Sequence, residues 1–156
     1  MAYMSSDSFG NDEGSGACFL CVQASADDEA EAHVVHKEVH SFVVLNAYPY
    51  NTGHVMIAPN RHVGDLASLD EAERTEVMEL VTRSTIVIGE AMGAQGFNVG
   101  INQGVAAGAG VPGHLHVHVV PRWGGDTNFM PIVAETKVLP EMLAETYAKL
   151  KPGFAI

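Results

Sequence analysis

The chain has 156 residues and a formal net charge of −11 at pH 7, from 19 Asp and Glu against 8 Lys and Arg. That balance argues against binding a DNA or RNA polymer, which needs a basic footprint. The apolar runs fall far short of the roughly 18 residues of a membrane helix, and at 47 % apolar residues the composition is that of a single globular domain with a real core.

Residues 1–16 are rich in Ser, Gly and Asp with little to bury, and are expected to be disordered, leaving one domain over 17–156. Cys18 and Cys21 are too few for a disulfide framework. With no basic-then-apolar leader to read, a cytoplasmic location is expected. In a reduced compartment a Cys-x-x-Cys pair is half of a zinc site or a redox pair. Residues 33–36 and 41–46 predict paired strands, with His33, His36 and His40 on the surface or in loops. Turn-rich residues 48–53 lead into a strand over 54–58, which stops at Pro59.

Ser68 and Glu71 have capping-box spacing before a long helix. Val77, Leu80, Val81, Ser84, Val87, Ile88 and Ala91 form its apolar stripe, and Gly93 its stop. Met78 and Met92 are read as packing. Residues 97–102 predict a strand. The small residues of 103–113, QGVAAGAGVPG, allow backbone amides to approach a phosphate closely. After a loop at 124–129, a short helix is expected over 139–150. Hairpin-connected strands with few helices indicate an α+β fold: roughly five antiparallel strands, one long helix and a shorter C-terminal helix.

The most informative stretch is 114–123, HLHVHVVPRW. Strict alternation predicts a half-buried strand, with His114, His116 and His118 side by side on one face and pairing that ends at Pro121. A His-rich solvated face, a metal site and a catalytic imidazole array all fit that pattern.

Residues 114–120 resemble the histidine triad (HIT) motif, in which three histidines alternate with apolar residues. The likeness extends from about residue 18 to 129. It implies a nucleotide-binding enzyme that cleaves a nucleoside α-phosphate bond through a nucleotidyl-histidine intermediate on His116. His118 would contact the phosphate, and His54, from a segment similar to the family's Gly-His-φ-φ-φ-x-Pro, would orient the site. Asn46 would bind ribose, Val44 and Met56 would flank the base, and Gln103 would contact phosphate. Gly110 and Val111 fall where many members carry Gln and Ser or Thr, so that hydroxyl contact is missing. Trp123 and the residues after it, with 48–51, look most like the actinobacterial diadenosine tetraphosphate (Ap4A) phosphorylases, which implies Trp123 at the substrate. The resemblance also completes the Cys-x-x-Cys pair as a structural zinc site of Cys18, Cys21, His62 and His114, and implies a homodimer. The substrates implied are dinucleoside polyphosphates; a nucleoside phosphoramidase and a non-catalytic, zinc-stabilised nucleotide-binding module are the other classes it leaves open.

Overall fold

A computed structural model describes residues 17–126 and 141–155. The expectations for 1–16, for the loop beyond Asp126 and for residues 139–140 lie outside the described residues, whereas 141 and 142, expected in the last helix, precede it, with Met142 at its N-cap. Helix α1 (Phe19–Ala24) precedes strands β1 (Val34–Lys37), β2 (Ser41–Leu45) and β3 (Val55–Pro59). Helix α2 (Glu71–Met92), strands β4 (Gly96–Ile101) and β5 (Val117–Arg122) and helix α3 (Leu143–Leu150) follow. The five strands form one antiparallel sheet in the order β1-β2-β3-β5-β4, the α+β architecture that the alternation predicts.

Strand periodicity divides the sheet's side chains into two cores. Val43, Leu45, Val55, Ile57, Val117 and Val119 pack with Val77, Leu80, Val81, Val87 and Ile88 of α2 and with Leu150 and Phe154. Phe42, Val44, Met56 and Ala58 face the other way and join Leu20 of α1 and Val34. Both faces of the central strands are thus covered at this end, and every residue of β2 and β3 is buried.

The start of α2 differs from expectation. Its cap is Asp70, which accepts from the Glu73 N–H at 2.8 Å while the Glu73 carboxylate accepts from the Asp70 N–H at 2.9 Å. Ser68 instead closes a single 3₁₀ turn, Leu66–Ser68, capped by Asp65. Both pairs have the same spacing; the turn uses up Ser68 and passes the cap to the next acceptor. Of the expected stripe, all but Ala91 are buried. Met92 packs on the core, whereas Met78 is 58 % exposed, on the solvent side of the helix. Gly93 ends α2 in the left-handed conformation, φ 65°, where the lack of a Cβ removes the steric penalty.

Pairing on β5 runs past Pro121 to Arg122, which pairs with Gly96. It begins only at Val117, opposite Ile57 and Ile101. His114 and His116 therefore precede the ladder, and the alternation that would align three histidines applies only from His118 onward.

Candidate functional site

His116 and His118 stand together with their ring centroids 4.8 Å apart, and His118 lies across the ladder from Met56 on β3 and Gly100 on β4. His54, immediately before β3, adds a third ring 5.1 Å from His118. The third member of the predicted row is elsewhere. The His114 ring points toward Cys18, Cys21 and His62, so the row divides into two and one.

The hydrogen bonds assign the protons. Nδ1–H of the buried His116 donates to the His114 carbonyl at 2.9 Å, which leaves the Nε2 lone pair as the reactive atom. The Tyr50 backbone N–H donates to His54 Nδ1 at 3.0 Å. That nitrogen therefore carries no proton, and Nε2–H of His54 donates to His118 Nδ1 at 3.0 Å. His118 is left with its proton on Nε2. The relay sets a lone pair on one imidazole beside an N–H on the next: a nucleophile next to a donor. Burial pushes the pKa of His116 below the ordinary histidine value, partly offset by its bond to the His114 carbonyl. Burial, with the adjoining His116, pushes His118 down to about 4. Both act as neutral imidazoles at neutral pH.

A second centre lies one residue-pair away. Sγ of Cys18 and of Cys21 are 3.5 and 3.4 Å from His114 Nδ1, and Cys21 Sγ is 3.3 Å from His62 Nδ1. All four donor atoms lie within 4.8 Å of one another. Zinc bonds of about 2.3 Å to sulfur and about 2.1 Å to nitrogen at tetrahedral angles would separate S from N by about 3.5 Å. The donor set therefore fits a metal ion of zinc's size and preference. Nε2–H of His114 donates to the Pro59 carbonyl at 2.8 Å, turning the Nδ1 lone pair toward the sulfurs; an outer hydrogen bond of this kind orients ligand histidines. Cys18 caps α1 and Cys21 lies one turn on, which is why this spacing brings two thiols to one side.

The remaining predicted residues divide. Val44 and Met56 line the sheet face that carries His118, and Val111 packs against the same cluster. Gly110 is half-buried beside it in the chain. Asn46 follows β2; its N–H donates to the His54 carbonyl at 3.0 Å and its Oδ1 accepts from the Tyr48 N–H at 2.8 Å. Gln103 is exposed, and its Oε1 accepts from the Leu66 N–H at 3.1 Å, which leaves the amide N–H groups as its donors. Trp123 is not brought to the histidines. It follows β5, and its indole N–H donates to the Met92 carbonyl at the end of α2, 3.3 Å away. Sequence reasoning missed Tyr50, whose ring stacks on His54 with centroids 5.1 Å apart; turn composition carries no signal for a ring or a backbone N–H serving a distant histidine.

The site is thus a pair of neutral imidazoles at the face of a five-stranded antiparallel sheet, and the family follows from comparison. The HIT domain model matches residues 27–125, and the chain belongs to that family. It is 45% identical over 127 residues, 81% of its length, to the "AP-4-A phosphorylase" of Mycobacterium tuberculosis, of which it spans 65%. It is 36% identical over 95 residues, 61% of its length and 52% of the relative, to the asymmetrical bis(5'-nucleosyl)-tetraphosphatase of Schizosaccharomyces pombe. A Zn-bound histidine triad family protein from Mycobacterium smegmatis superposes with a TM-score of 0.73 at 26% identity, covering 91% of this chain and 96% of that one.

Proposed function

We propose that this chain cleaves dinucleoside polyphosphates such as Ap4A through a covalent nucleotidyl-histidine on His116. The observation that carries the reading is the pairing of opposite tautomers, a lone pair on His116 Nε2 beside an N–H on His118 Nε2. His116 Nε2 attacks the α-phosphorus in line; the N–P bond forms, the bridging P–O bond breaks, and its electron pair leaves with the polyphosphate. Nε2–H of His118, the Gln103 amide and backbone N–H groups of 103–113 hold the phosphate oxygens as charge develops. Asn46 holds the ribose, and Val44 and Met56 flank the base, with Gly110 and Val111 closing the pocket without a hydroxyl contact. Inorganic phosphate or water then attacks phosphorus and restores the free imidazole.

Zinc supplies cross-linking when bound: Cys18, Cys21, His62 and His114 would tie α1 to the segments before β5 and after β3 without entering the chemistry. A homodimer is part of the same reading. Strand β4 ends the sheet, carries no charge, and leaves Val99 48 % exposed; such an edge suits pairing with a second copy.

Incubation of Ap4A with the protein, with and without inorganic phosphate, tests the reading. Phosphate-dependent ADP plus ATP is the expected result, given the likeness to a phosphorylase. AMP plus ATP irrespective of phosphate makes it a hydrolase. Absence of cleavage, or wild-type turnover by His116→Ala, refutes the proposal; cleavage of a nucleoside phosphoramidate instead would move the site to P–N bonds.

A further inference from the structure

The two centres share one residue. His114 is fully buried and uses both of its ends: the ring joins the Cys18, Cys21 and His62 cluster, and the backbone carbonyl accepts the Nδ1 proton of His116. The β5 ladder begins three residues later, at Val117. Local hydrogen bonds hold the segment. The His114 N–H donates to the Val111 carbonyl at 3.2 Å, the Leu115 N–H to the Val63 carbonyl at 2.6 Å, and the His114 ring to the Pro59 carbonyl. The donor cluster is a further restraint, and it draws together three stretches separate in sequence: α1, the residues after β3, and the residues before β5.

Two thiols and two imidazoles at 3.3–3.5 Å make weak hydrogen bonds at best. A metal ion converts the same donors into a rigid cross-link. Because the nucleophile's tautomer depends on a carbonyl belonging to a cluster residue, rigidity there is passed directly to His116.

We propose, resting on the reading of His116 as nucleophile, that the Cys18–Cys21–His62–His114 cluster is a positioning device for catalysis. With a metal ion on its ring, His114 holds its carbonyl where it keeps the His116 proton on Nδ1, so metal occupancy sets which nitrogen of His116 is free to attack. His114 is then a positioning residue, since it touches no reacting atom. Without the ion, His114 and its peptide gain freedom, the Nδ1–H bond is made only part of the time, and the Nε2–H tautomer, which has no lone pair facing the phosphate, becomes populated.

The readout is the tautomer itself, observed by long-range ¹H–¹⁵N correlation of the full chain at pH 7.5, with no substrate present. Zinc-loaded protein is expected to show His116 as the Nδ1–H form alone; metal-free protein is expected to show the Nε2–H form as well. Single-turnover formation of the His116 adduct from Ap4A is expected to slow by about ten- to a hundredfold, the scale of outer-shell effects at ligand histidines. His62→Ala is the second variant. It keeps three of the four donors, and the exposed His62 ring meets Cys21 and His114 rather than His116. Titrated with zinc through its own binding range, it should recover both tautomer and adduct rate as zinc binds. Chelation that unfolds the wild type leaves this titration to decide. A His116 tautomer and adduct rate that stay constant across it overturn the proposal. Because the tautomer is read without substrate, inertness toward Ap4A would count against the proposed reaction and not against the coupling.

Discussion

Glu73→Gln should destabilise the chain far more than an ordinary surface ion pair would. The Glu73 carboxylate is 4 % exposed and accepts three hydrogen bonds, from Arg61 Nε at 2.9 Å, Arg61 Nη2 at 2.8 Å and the Asp70 N–H at 2.9 Å. Arg61 Nη2 also donates to the Ser68 carbonyl at 2.8 Å. The pair thus straps the segment carrying His62 to the first turn of α2. Glutamine keeps the volume but turns an NH₂ toward a guanidinium that can only donate. A lost hydrogen bond to a charged group is worth about 1.5–3 kcal/mol, and weakening the helix cap adds about 0.5–1 kcal/mol. A loss of about 2–4 kcal/mol corresponds to roughly 4–16 °C in Tm at this chain length. The hydrogen bonds from Arg61 and then Asp70 hold the carboxyl well below its ordinary 4.5, at about 2. A depressed acid stabilises the fold above its unfolded pKa and loses that effect as pH falls through its folded one. The Tm gap between wild type and variant should therefore be full at pH 7 and narrow from about pH 4.5 toward about 2. Thermal melts by circular dichroism across that range measure it. A loss under about 0.5 kcal/mol at pH 7 would place the pair with solvent-screened surface bridges and refute the strap.

Three further outcomes are expected. Metal analysis should find one zinc per chain, with Cys21→Ser losing most of it; unchanged metal content in that variant would dismiss the four-donor site. His118 should stay neutral until about pH 4, because burial and then His116 depress its pKa, and its stabilising effect should fall as pH drops from about 6.5 toward 4; an NMR titration with a midpoint near 6.5 would contradict the burial. Val99→Lys should yield a monomer by light scattering if β4 pairs with a second copy, whereas an unchanged mass would exclude that edge as the interface.

The strands were legible because alternation and β-branched runs survive in the fold: 34–37, 41–45 and 55–59 are where the pattern places them within a residue. The site was legible only in pieces. Two-residue spacing anticipates the neighbouring rings of His116 and His118, but not the turn of the His114 ring toward the cysteines, since the ladder that enforces spacing starts only at Val117. The cap of α2 was misplaced because Ser68–Glu71 and Asp70–Glu73 are equivalent on spacing, and only the folded 3₁₀ turn distinguishes them. Trp123 reads as a substrate contact by resemblance, while in the fold its indole N–H bonds the Met92 carbonyl at the end of α2. The meeting of Cys18, Cys21, His62 and His114 spans more than ninety residues, a distance over which spacing carries no information.

If the proposed reaction holds, an acidic chain must bind a polyphosphate without a positive field, and the histidine relay supplies a way. At neutral pH the imidazoles present N–H groups in place of cations, with the proton of His118 set by His54 and, behind it, by the Tyr50 backbone. Fixed donors in a partly buried site act at short range, where salt screens little, whereas attraction between exposed charges fades beyond about 10 Å at 0.1 M ionic strength. With a net charge of −11, long-range steering would if anything repel the substrate, so added salt should help encounter and leave the bound state nearly unchanged. The KM for Ap4A should accordingly change by no more than about twofold between 0.05 and 0.5 M NaCl. A rise of tenfold or more would mean that lysine or arginine side chains carry the phosphates, and the neutral relay would then be a bystander to binding.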